Sequence, residues 1–123
     1  MTTVERETPL VVAVAAVPLV GEGIAAAVEG LAECKVLPAG QPELAGLLKS
    51  LQPDAVVADD EAEAAVAATY ARFGRVPVIR VDVRADRVQV LDQGAWVRPE
   101  EHDSSPETIR NLVAAGIYGR RLI

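Results

Sequence analysis

The chain is poor in the residues that most often carry chemistry: it has one Cys, one His, one Trp, two Tyr and one Phe among 123 residues. A lone Cys34 excludes an internal disulfide, and nothing here has the paired cysteines of a secreted, stapled scaffold. With aromatics at 3%, the core must be built from Val, Leu, Ile and Ala, as is common where parallel strands read as continuous aliphatic runs. Basic residues are short as well. Twelve Lys and Arg face eighteen Asp and Glu, a net charge of -6, which argues against direct nucleic-acid binding because phosphate neutralisation needs the opposite balance. There is no long hydrophobic run: the apolar stretch from Leu10 to Val20 is interrupted by Pro18 and stopped by Gly21-Glu22-Gly23, too short to span a bilayer. The polar, acidic opening Met1-Thr2-Thr3-Val4-Glu5-Arg6-Glu7 is unlike a signal peptide. A cytoplasmic protein without membrane contact is expected.

What is present is a strong alternation of patterns. Leu10 to Val17 reads as a buried strand, and Val20, Ile24, Ala27, Val28 and Leu31 then recur at helical spacing. Cys34 to Pro38 is a short strand. Leu44, Leu47, Leu48 and Leu51 mark a second helix, introduced by Pro42-Glu43. Pro53 launches a third strand, which runs through Ala55-Val56-Val57-Ala58 to Asp59. A helix from about Glu61 to Phe73 follows, with Asp59, Asp60, Glu61 and Glu63 at its positive end, and Val76 to Ile79 opens a fourth strand. This order predicts right-handed crossovers and a parallel sheet covered on both faces. Beyond it, Arg80-Val81-Asp82-Val83-Arg84 and Arg87-Val88-Gln89-Val90-Leu91 alternate with period two about Ala85-Asp86, which predicts a hairpin. Ala95 to Arg98 is a last short strand, and Ser105-Pro106-Glu107 is a helix start with Ile109, Leu112, Val113 and Ile117 as its buried stripe. Residues 1–9 are expected to be a flexible lead-in and 10–123 a single domain.

From Leu10 to about Gly116 these pieces resemble, in order and spacing, the receiver domain of bacterial response regulators, in particular receivers attached to helix-turn-helix output domains. Pro18-Leu19-Val20-Gly21-Glu22-Gly23 is similar to the family's opening helix, and Pro53 to Asp59 to its third strand, with Asp59 at the phosphoacceptor position. Val76-Pro77-Val78-Ile79 resembles the fourth strand, with Asp82 at the switch Ser/Thr position. Gly94 to Pro99 resembles the fifth-strand motif, with Arg98 where the family has lysine. The resemblance implies a doubly wound, mostly parallel five-stranded sheet of flavodoxin-like type, with the fourth-helix region replaced by the ribbon from Arg80 to Leu91.

The departures from the family matter most. Where receivers end their first strand in two aspartates, this chain has Ala15 and Ala16. A hard divalent cation is held by carboxylate oxygens, and phosphoryl transfer depends on its positioning and charge compensation. Ala15 and Ala16 offer no such ligand, and Asp82 sets a further negative charge where a phosphoryl group would sit. The resemblance therefore implies a pseudo-receiver with no metal, cofactor or enzymatic activity. Asp59 reads better as a helix-capping or Arg98-paired acid than as a phosphorylation site.

Remaining candidates are weaker. His102, between Glu101 and Asp103, lacks companions for a metal site, and Gly21-Glu22-Gly23 has no Lys-Ser/Thr to make a phosphate loop. Cys34 reads as a small core residue. Arg80, Arg84 and Arg87 form either an interaction stripe or a self-paired face with Asp82 and Asp86. Trp96 is either an interface anchor or core filler. Together these point to a phosphorylation-independent regulatory module of two-component type acting by protein contact, with homodimerisation expected and Arg80, Arg84, Arg87 and Trp96 as the candidate interface. The alternatives from other classes are the receiver of a DNA-binding transcriptional regulator and a small-molecule sensor with its pocket at the carboxyl ends of the strands.

Overall fold

The computed structural model describes residues 10–38, 43–59, 61–74, 76–92, 95–98 and 103–121. The lead-in expected at 1–9, Asp60, His102 and the Gly94 and Pro99 positions lie outside the described residues. Strand and helix alternate as β1 (Val11–Ala16), α1 (Pro18–Ala27), β2 (Glu33–Pro38), α2 (Leu44–Leu51), β3 (Ala55–Ala58), α3 (Glu61–Gly74) and β4 (Val78–Asp82). Two further strands, β5 (Arg87–Asp92) and β6 (Ala95–Val97), precede α4 (Pro106–Arg121).

The sheet has six strands in the order β2-β1-β3-β4-β5-β6, and it is mixed. β1 pairs in parallel with β2 and β3, and β3 with β4, whereas β4–β5 and β5–β6 are antiparallel. This corrects the expected five-stranded, mostly parallel sheet. The hairpin was legible, but its first arm is the continuation of β4 itself, so its second arm enters the sheet as a full strand. Because β5 runs backwards and β6 forwards again, β6 shares the direction of β1 to β4 yet stands one strand further out.

Period-two alternation divides the core in two. Val12, Val14, Val57, Ile79, Val81 and Val88 face α1 and α4, where Ile24, Val28, Ile109, Val113 and Ile117 close one layer. Ala13, Ala15, Val56, Ala58 and Val78 face the other way, against Leu44 and Leu48 of α2 and Ala64 and Ala67 of α3. A strand buried on both faces cannot alternate in polarity, which is why β1 and β3 read as unbroken apolar runs.

Two glycines permit close approach. A Cβ on Gly21 of α1 would stand 2.7 Å from Val36 Cγ1, and one on Gly116 of α4 would stand 2.8 Å from Pro77 Cβ. The start of α4 is built as its sequence predicts: Ser105 Oγ accepts from the Thr108 amide at 3.2 Å, with Pro106 and Glu107 in the first turn. No helix among the described residues is long and apolar enough to cross a membrane.

Candidate functional site

The carboxyl ends of β1, β3 and β4 gather most of the positions singled out from the sequence. Register sets Ala15 beside Ala58, so Asp59 emerges directly against the end of β1. Its amide donates to the Ala15 carbonyl at 3.2 Å, and its Oδ2 accepts from the Val17 amide at 3.4 Å. Val17 is the N-cap of α1 and offers no side-chain cap of its own. The carboxylate thus supplies from a neighbouring strand what the third-residue acid of a capping box supplies locally, an acceptor for the N-cap amide at the positive end of a helix. The sequence placed Asp59 at the start of the third helix, whereas this contact is with the N-cap of α1.

Ala15 and Ala16 are buried, and no cluster of three or more His, Cys, Asp or Glu side chains suited to a metal ion occurs among the described residues. Asp82 ends β4, but its carboxylate serves the hairpin: Oδ1 accepts from the Ala85 amide at 3.1 Å, and Oδ2 lies 3.9 Å from Arg87 Nη2. Arg98 follows β6, three strand intervals from β3 in the sheet order. At about 4.8 Å per interval that is roughly 14 Å, beyond the reach of an ion pair. Arg98 is exposed. The pairing of Arg98 with Asp59 expected from the sequence is therefore overturned, and the inserted strand β5 is the reason.

The ribbon carries the second group of candidates. On the face it shares with α3, Arg80 Nη1 donates to Gln89 Oε1 at 2.9 Å across the register pair, and Asp82 stands opposite Arg87. Arg80 and Arg87 thus each face a polar partner across the register, while Arg84 is exposed in the turn. Trp96 pairs with Leu91 and packs, half-buried, at the margin of the α2–α3 core layer. It is both core filler on one side and open surface on the other. Val83 and Val97 of the same ribbon are exposed.

Several residues that tie the site to the fold had no legible signal. Asp54 caps the other end of β3, accepting from the Val11 amide at 2.8 Å while its own amide donates to the Val11 carbonyl at 2.7 Å. Arg110 of α4 donates to the Ala27 and Glu29 carbonyls at 3.1 and 2.7 Å, satisfying the negative end of α1. Asp86, at a left-handed φ of 53°, accepts from the Ser104 amide and hydroxyl at 2.9 and 2.8 Å, clipping the hairpin tip to the entry of α4. Pairings across such sequence distances follow no spacing rule. Glu63, expected only as a favourable first-turn charge, is buried. Burial pushes the Cys34 thiol pKa up, in keeping with a part-buried core cysteine.

Comparison of the chain with protein-family models, with curated proteins and with solved structures finds no match.

Proposed function

We propose that this chain is a receiver-like regulatory module that works without phosphorylation and without catalysis, as a homodimer that engages a protein partner. The observation that carries this reading is the environment of Asp59. Its carboxylate accepts from the Val17 amide at the N-cap of α1, directly after buried Ala15 and Ala16 in the chain, with Arg98 three strands away and Asp82 engaged in the hairpin. Phosphoryl transfer to an aspartate requires a cation and a positioned counter-charge, and Ala15 and Ala16 offer no oxygen to ligate the first while Arg98 stands too far out in the sheet to supply the second. The likeness to receivers rests on the sequence pattern and on the parallel order β2-β1-β3-β4.

The partner surface in this reading is the ribbon and β6, with Trp96 as its anchor on one side and exposed Val83 and Arg84 at the hairpin tip further along. A large aromatic left half-seated at the margin of a core layer is the kind of residue that anchors an interface centre. The test is incubation of the protein with a small-molecule phosphoryl donor and Mg²⁺, followed by intact mass measurement. No phosphoryl adduct is expected. An adduct that disappears in Asp59→Asn would overturn the reading.

A further inference from the structure

Among the described residues β2 is an edge strand of the sheet, paired on one side only, with β1. The Glu33 amide donates inward to the Leu10 carbonyl at 2.7 Å, so alternation turns the backbone groups of Cys34 and Val36 outward, away from β1. Beside them runs a groove of about 410 Å³ lined by β2 residues together with Leu47, Ser50 and Leu51 of α2. Glu33 and Lys35 share one face of the strand, 3.8 Å apart and half-exposed.

We infer that two copies of the chain join antiparallel along β2, about a two-fold axis normal to the sheet at Cys34. An antiparallel partner must set outward residues against outward residues, which leaves few registers. Pairing Cys34 with Val36 of the second copy sets Lys35 against Lys35, which repels. Pairing Cys34 with Pro38 of the second copy loses a donor, because proline has no amide hydrogen. Pairing Cys34 with Cys34 sets Glu33 against Lys35 on both sides of the axis, as non-hydrogen-bonded pairs with Cα atoms about 4.5 Å apart. Each lysine then lies between its own Glu33 and that of the second copy. The axis keeps both α2 helices on one face, so Leu47 and Leu51 of each copy close the groove of the other. A continuous sheet of both copies results, with the two ribbons at its far ends.

This inference takes up the self-association in the proposed function and rests on it, while partner capture at the ribbon can fail independently. Sedimentation equilibrium of the wild-type protein is expected to give a dimer. Lys35→Glu and Glu33→Lys are each expected to give monomers, and mixing them in equal amounts is expected to restore a dimer containing one of each. Trp96→Ala is expected to leave the dimer intact. Hydrogen exchange adds a readout that needs no variant: the Cys34 and Val36 amides gain protection as protein concentration rises. A monomeric wild type, dimers in both single variants, a mixture that stays monomeric, or edge amides that exchange rapidly at every concentration would each overturn the inference. Loss of the dimer in Trp96→Ala would overturn it too, moving self-association to the ribbon.

Discussion

The parallel half of the sheet and the ribbon differ in how each is held. In β1 and β3 the side chains are aliphatic on both faces and nearly all fully buried, and the aspartates at the two ends of β3 serve backbone amides. In the ribbon, side chains bond to one another: Arg80 to Gln89, Asp82 to Arg87, Asp86 to Ser104. Its apolar residues are covered mainly on the α4 face, by way of Val81 and Val88, and Trp96 is left half-open on the other. Burial on both faces fixes a frame, while a half-covered ribbon held by polar pairs presents a surface.

That contrast is open to direct measurement. Leu48→Ala, in the fully buried layer under α2, is expected to lower unfolding free energy by about 2–5 kcal/mol in urea titration. Gly21→Ala should cost about 1–3 kcal/mol by driving a methyl into Val36, and the double variant Gly21→Ala/Val36→Ala should recover part of it. At the ends of β3, Asp54→Ala is expected to cost about 1–3 kcal/mol, because it strands a part-buried amide. Asp59→Ala, with a longer bond to an exposed amide, should cost less, and equal losses would place Asp59 on a par with Asp54 in the frame. In the ribbon, Asp86→Gly removes the clip to Ser104 while keeping the left-handed backbone, so a loss near 1 kcal/mol with faster exchange at the hairpin tip is expected. The smallest effect concerns Cys34: its raised pKa keeps the thiol protonated at neutral pH, so alkylation should be slow there and accelerate only above the ordinary thiol range.

Much of the frame was legible. Aliphatic runs at Leu10–Val17 and Ala55–Ala58, helical stripes and the Ser105-Pro106-Glu107 start each report a local rule, and each marks an element of the fold, although α1 ends at Ala27, short of the Val28 and Leu31 of its stripe. The alternation about Ala85-Asp86 likewise gave the hairpin. What it did not give was the strand count, because alternation reveals pairing between neighbours in sequence and is silent on whether the second arm then receives a third. The Arg98–Asp59 pairing failed for that reason: one inserted strand moved the arginine outward by a strand width. Arg110 on the Ala27 and Glu29 carbonyls was invisible for a related reason, since a helix terminus can be satisfied from any element that happens to lie over it.

By itself the amino-acid order determined which segments are strands and helices, the aliphatic character of the core and the absence of carboxylates at Ala15 and Ala16, since propensity, periodicity and residue chemistry are properties of short stretches. Tertiary structure alone decided that β5 enters the sheet between β4 and β6, that Asp59 reaches the N-cap of α1, and that β2 is the outer strand of the sheet among the described residues. Those outcomes depend on which distant segments come to lie side by side, and that is settled only when both faces of the sheet are buried at once.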